Sequence, residues 1–275
     1  MKIWMSVDLE GISGIVTNRQ TDDSGPEYEY ARRLMTADAN AAIEGALAGG
    51  ATEILVNDSH STMQNILPDL LRREALLVSG SNKPLSMVQG IDSSVAAALF
   101  VGYHARAGTL DAVQDHTYSG RTVFEVRING RPVGETGINA GVCGYFVVPV
   151  VFVSGDSAVA REARETLGEV VTVSVKEGQS RYSAVCLHPE GAHEAIRDGV
   201  QKALAERWRF KPFTFASPVT VELDVPFAVM ADAAALIPGV RHPTPRTVAF
   251  THDDYLVCFK ALRAMITLAA SAQQR

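Results

Sequence analysis

The amino-acid sequence predicts an α/β fold, a mainly parallel sheet flanked by helices, followed by a smaller α+β C-terminal part. Three observations lead there. Short apolar, β-rich runs end abruptly in clusters of polar residues. Stretches of helical periodicity lie beside the first of these runs. Beyond an aromatic, proline-bracketed segment at 209–218 the pattern changes to strand alternation and one amphipathic helix. The chain is therefore divided into an α/β domain over 1–208 and an α+β region over 209–275, expected to pack on the first and to take part in contacts between copies.

Taken in order, Lys2–Val7 is the first strand and ends at Asp8-Leu9-Glu10-Gly11. Met35, Ala39, Ala42, Ile43, Ala46 and Leu47 recur at helical spacing, and Gly49-Gly50 supplies the stop. Strands over Glu53–Val56 and Ala98–Gly102 end at Asn57-Asp58-Ser59-His60 and Tyr103-His104. Phe124, Val126 and Ile128 alternate with Glu125 and Arg127 before the tight turn Asn129-Gly130; the return strand Arg131–Gly134 delivers Glu135. Pro149–Val153 is another strand. Asp156 is placed to cap a helix in which Val159, Ala160, Ala163 and Leu167 follow and which closes at Gly168. A further helix starts near Pro189 and buries Ala192, Ile196, Val200 and Leu204. Val219, Val221, Leu223 and Val225 mark a half-buried strand, and Leu256, Phe259, Leu262, Ile266 and Ala269 the last helix.

Composition narrows the function classes. The 275 residues are 47% hydrophobic and 20% charged with a net charge of −6, so no basic surplus exists to neutralise phosphates and nucleic acid is not an expected partner. The opening strand leaves no room for an export signal. The longest apolar run, Val142–Val153, is broken by Gly144 and Pro149 and falls short of the roughly 20 residues a bilayer helix needs. Cys143, Cys186 and Cys258 have no CxxC spacing and read as buried free thiols in a reducing compartment. A cytoplasmic protein with no membrane partner is expected.

Chemistry collects at the strand ends. In an open parallel sheet, ligands bind outside the carboxyl ends of the strands. Three such ends carry Asp8 with Glu10, then His60, then His104. Asp8 and Glu10 would share one face if the strand continued, and Gly11 and Gly14 let the chain leave it sharply. Singly, an acid here is a cap or turn former, and a lone histidine is a hydrogen-bonded structural residue. Jointly, carboxylates and imidazoles converging on one crevice would be costly without a compensating cation. Such mixed ligands suit zinc best, with manganese and cobalt as the alternatives. Asn57, Asp58 and Ser59 either orient the His60 ring or simply turn the chain; His188, His193, His242 and His252 have no partner pattern and read as structural or surface.

Five ordered motifs carry a resemblance: Ser-Val-Asp8-Leu-Glu10-Gly-Ile-Ser-Gly, Val-Asn-Asp-Ser-His60-Ser, Gly-Tyr-His104-Ala-Arg-Ala, Asp-His116-Thr and Arg-Pro-Val-Gly-Glu135. In this order they resemble the zinc D-aminopeptidases of the DppA type. That resemblance implies two zinc ions per subunit. Asp8 would bridge them, Glu10 and His104 would complete the first site, and His60 and Glu135 would serve the second. It implies a catalytic His116, described for the family as a nucleophile; we read it instead as a proton donor to the leaving amine or a hydrogen-bond donor to the oxyanion. The implied substrate is a small peptide with an N-terminal D-residue, such as D-Ala-D-Ala, and the implied assembly a homo-oligomer, a decamer. Lys83-Pro84 also resembles a family segment, though a solvated lysine beside a turn explains it equally. Alternative functions are a dinuclear amidase for L- or glycyl-terminated peptides and a non-catalytic cytosolic peptide-binding protein linked to dipeptide uptake.

Overall fold

A computed structural model describes residues 1–272; residues 273–275 of the region predicted at 209–275 lie outside the described residues. The elements run β1 (Lys2–Val7), α1 (Asn18–Thr21), α2 (Tyr28–Ala48), β2 (Glu53–Asp58), β3 (Ala75–Val78), β4 (Ala97–Tyr103), β5 (Glu125–Ile128) and β6 (Arg131–Pro132). They continue as α3 (Glu135–Tyr145), β7 (Val150–Asp156), α4 (Ser157–Leu167), β8 (Val171–Ser180), β9 (Ser183–Cys186), α5 (Pro189–Ala205), β10 (Val219–Asp224), α6 (Ala228–Ala234), β11 (Arg241–Thr244), β12 (Thr247–His252) and α7 (Tyr255–Ser271).

The larger sheet has the order β3-β2-β1-β4-β7-β8-β9, parallel throughout except for the antiparallel edge strand β9. This is the mainly parallel α/β architecture the sequence predicts. Strand order reverses between β1 and β4, and a crevice opens outside the carboxyl ends at such a reversal. Both faces of the sheet are covered. Ile3, Met5 and Val7 join the core beneath α2 and α5, whereas Trp4 between them enters the core on the opposite side. Each fully buried aliphatic side chain contributes about 1.5–3 kcal/mol. Asp156 caps α4 by accepting from Val159 N, Gly168 ends that helix at φ +75°, and His188 caps α5 ahead of Pro189.

The smaller sheet is antiparallel, in the order β11-β12-β10-β5-β6. Its hairpin β5–β6 comes from the middle of the chain and pairs with β10 through Val221↔Ile128 and Leu223↔Val126. The aromatic segment at 209–218 is packed down: Phe213 and Phe215 meet at 5.0 Å, and Phe215 lies 4.9 Å from Tyr255 of α7.

Three sequence expectations are corrected. The strand does not continue through Asp8 and Glu10; β1 ends at Val7 and the two acids sit in the turn that follows. Glu135 does not end a return strand but opens helix α3. Cys143 and Cys258 are buried free thiols, but Cys186, on the edge strand β9, is half-exposed. No helix among the described residues is long and apolar enough to cross a membrane.

Candidate metal centre and cleft

Three strands finish level: Val7 pairs with Asp58 on one side and Val101 on the other, so the residues that follow arrive together at the β1/β4 switch point. The loops then approach more closely than side chains permit. Gly11 N donates to Gly102 O and Asp8 N to Val101 O, both at 2.8 Å. A Cβ on Gly11 would lie 2.0 Å from Tyr103 O, and one on Gly102, where φ is +69°, 2.3 Å from Asp8 O. Glycine at both positions is what lets Asp8 and Glu10 stand beside His104. From below, the buried Lys176 ammonium of β8 donates to the carbonyls of Glu10, Ile12 and Ile15 and pins this loop; burial pushes its pKa down to about 8. No periodicity or motif marked Lys176 in the sequence.

Glu135 arrives by another route. The β5–β6 hairpin hands it to the first turn of α3, where the exposed amides of a helix N-terminus favour a carboxylate, and Tyr118 N donates to its Oε1 at 2.6 Å. His116 sits in a loop whose Asp111, Gln114 and Tyr118 have φ of +53°, +49° and +60°, the kind of backbone strain that clusters at functional sites.

All six residues singled out in the sequence meet. His60 Nδ1 is 2.9 Å from Glu10 Oε2 and 3.4 Å from Asp8 Oδ1. His104 Nε2 lies 3.6 Å from Asp8 Oδ2 and 3.5 Å from Glu135 Oε2. His116 Nε2 is 3.9 Å from both Glu10 Oε1 and Glu135 Oε1, and its ring stacks on His104 at 4.0 Å. Ligand atoms of Asp8, Glu10 and His104 lie within 4.8 Å of one another, as do those of His104, His116 and Glu135. Glu135 thus lies against His104 and His116, while His60 lies against Asp8 and Glu10.

The outward hydrogen bonds of the imidazoles determine what this centre can hold. His60 Nε2 faces Thr21 O at 2.8 Å, His104 Nδ1 faces Ala105 O at 3.0 Å and His116 Nδ1 faces Gln114 O at 2.8 Å. A carbonyl can only accept, so each outer nitrogen carries a proton, and in the neutral ring the inner nitrogen offers a lone pair. Three lone pairs and three buried carboxylates then face one another, an arrangement that repels unless positive charge lies between them. His104 Nε2 is buried without a hydrogen-bond partner. Mixed imidazole and carboxylate donors with such an orphaned nitrogen fit zinc.

Where no metal ion lies between these groups, protons on the imidazoles supply that positive charge. Burial and the neighbouring Glu10 push the Asp8 carboxyl up to about 8. Burial would also raise Glu10 and Glu135, but the imidazoles of His60 and His104 respectively outweigh it and hold both low. Conversely, burial opposes charge on His60 and His104, yet Glu10 and Glu135 lift both well above the usual imidazole range. His116 is lowered, by burial and by the adjacent His104.

The centre opens into a cleft of about 550 Å³ that Tyr118, Arg181 and Arg263 also line. Behind it, Asp58 accepts from Asn65 N at 2.5 Å and Ile66 N at 2.7 Å, and Asn65 holds the His60 carbonyl. Asp58 therefore shapes the loop rather than orienting the His60 ring. Lys83 is half-buried, donating to Asn57 Oδ1 at 2.7 Å and Asp58 O at 2.6 Å, which binds it to the same loop and replaces the solvated reading. Among the other histidines, His193 meets Asp38 at 3.1 Å between α5 and α2.

Comparison with known proteins follows the same lines. A family model described as D-aminopeptidase, of the M55 peptidases, matches residues 1–264. The chain is 42% identical over 273 residues to a D-aminopeptidase of Bacillus subtilis (strain 168), covering 98% of each. It also resembles a solved structure described as the Zn-dependent D-aminopeptidase DppA from Bacillus subtilis, a self-compartmentalizing protease; the TM-score is 0.97 at 40% identity, over 100% of both chains.

Proposed function

The chain belongs to the D-aminopeptidase family that matches it over residues 1–264, and on that premise we propose that it is a zinc metallo-aminopeptidase releasing the N-terminal residue of short D-amino-acid peptides, D-Ala-D-Ala among them. The observation that carries this reading is the trio of imidazoles turned, by outward bonds to backbone carbonyls, so that their inner nitrogens face three buried carboxylates.

Asp8, Glu10 and His104 would hold one zinc ion, and His60 and Glu135, together with Asp8, would hold a second. The grouping of Asp8, Glu10 and His104 ligand atoms within 4.8 Å supports the first of these sets. When bound, zinc polarises the scissile carbonyl and makes water a nucleophile near neutral pH. The protein's own part is to position and to move protons. The substrate's free amine would be a further ligand at this end of the cleft, which confines cleavage to the terminal residue. His116, with its Nδ1 proton fixed on Gln114 O and its Nε2 facing the cleft, is poised to pass a proton to the leaving amine or to donate to the oxyanion. Tyr118 N fixes the Glu135 carboxylate while the peptide binds.

The solved relative is described as self-compartmentalizing; a closed homo-oligomer, a decamer, in the cytoplasm is the corresponding reading for this chain. Metal analysis of the purified protein, with two zinc per chain expected and hydrolysis of D-Ala-D-Ala lost on chelation, tests the centre. A panel of D- and L-aminoacyl p-nitroanilides tests stereochemistry: activity confined to the L-series would leave the dinuclear amidase and remove the D-specificity. Turnover that survives chelation would sink the metallopeptidase itself.

A further inference from the structure

The cleft has two chemically distinct ends. One is the acid–imidazole centre. The other carries Arg263 of α7, half-buried and lining the same cavity. Its guanidinium lies over the Tyr118 ring, 4.3 Å from the ring centroid. Among the described residues it makes no hydrogen bond or ion pair beyond that stacking. Arg181, which also lines the cleft, is already bound to the carboxylate and carbonyl of Asp115.

We propose that Arg263 receives the free C-terminal carboxylate of the peptide, so that the enzyme recognises a short substrate by both of its ends. The proposal rests on the aminopeptidase reading above and adds the second anchor. Stacking occupies the face of the guanidinium and leaves its N–H edge for a planar acceptor, the bidentate geometry a carboxylate offers. A group held on a ring has also lost much of its rotamer freedom before the ligand arrives. The spacing suits a very short peptide. Tyr118 touches the centre through its N–H bond to Glu135 and touches Arg263 through its ring, so one tyrosine residue separates the two ends. A dipeptide spans at most about 7 Å. The two ends divide the peptide between them: the metal centre would take the amine and the scissile carbonyl, and the guanidinium the carboxylate. A longer peptide would carry its carboxylate past Arg263 and lose that contact.

The test compares D-alanyl-D-alanine with D-alanyl-D-alaninamide, which lacks the terminal charge. The native protein should favour the acid. In Arg263→Gln the ratio of kcat/KM for acid over amide should fall about 10- to 100-fold, carried mainly by KM for the acid, the loss expected for a charged hydrogen-bonded pair. Arg263→Lys, which keeps the charge but not the fork, should recover part of that ratio. A native protein that handles acid and amide alike would overturn the proposal. So would an Arg263→Gln protein in which both substrates weaken together at unchanged ratio, the outcome of a merely structural contact with Tyr118. Failure of the native protein to cleave either compound is a different result, because it removes the aminopeptidase reading and this proposal with it.

Discussion

Two groups of three acids are built into this molecule, and they are completed differently. On the antiparallel sheet, Glu125, Glu222 and Asp224 surround Arg127, with the guanidinium 2.8 Å from Glu125, 3.4 Å from Glu222 and bonded also to Asp224. These acids keep 20–30% of their side-chain surface in water. In the cleft, Asp8, Glu10 and Glu135 keep 3–6%, and their basic neighbours are imidazoles whose committed protons point away. The first group closes on itself with a resident cation and a share of solvent. The second is satisfied on its outer side by backbone carbonyls and turns its donor atoms inward. The kind of basic group that faces the acids, and the depth at which they lie, rather than their number, separate scaffold from site.

Breaking the cleft group should have the largest effect. Glu10→Ala should abolish hydrolysis and lower zinc per chain, read by metal analysis alongside turnover; full zinc in that variant would remove Glu10 from the ligand set. His116→Ala comes next, with kcat expected to fall about 10²- to 10⁴-fold, the share of one proton-transfer group, while zinc content stays the same. Loss of zinc there would make His116 a ligand instead.

The pH dependence sharpens the contrast. In the metal-free protein the carboxylates hold His60 and His104 well above the ordinary imidazole value of 6.5. For groups raised in this way, the stabilisation is complete below the unfolded value and fades as pH climbs through the folded one. Zinc must displace those protons, so its apparent affinity should rise ~10-fold per pH unit for each proton released. Titration calorimetry in buffers of different ionisation heat measures that release; none would contradict the protonated imidazoles. The smallest effect is expected on the closed group. Arg127→Met should cost about 1–2 kcal/mol of stability, intermediate between an exposed and a buried pair, visible as a melting point a few degrees lower with zinc and activity retained.

Four strands of the parallel sheet, β1, β2, β4 and β7, were legible in the sequence because each announced itself twice, by an apolar run and by the polar break after it. The strand ends named four of the six residues of the centre for the same reason. Helix α3 was not legible: Glu135–Tyr145 contains Gly137, Gly141 and Gly144 and is buried almost all round, so neither propensity nor an amphipathic stripe marks it. Hidden with it was the reason Glu135 is buried. Strands β3, β8, β9, β11 and β12 also went unread; β3 and β9 are four-residue pieces, and β11 is exposed at every position, so no alternation picks it out. Lys176 and Arg263 escaped because a cation on a strand or an amphipathic helix looks solvated until a buried loop or a cleft is placed against it.

The hairpin that carries Glu135 toward the centre is stitched on its other side to β10, a strand from beyond residue 209. The last quarter of the chain is therefore no detachable cassette. A cut or graft near 209–218 would leave β5 without its neighbour and slacken the tether on one wall of the cleft, so damage far from the substrate would register first as a loosened grip on metal.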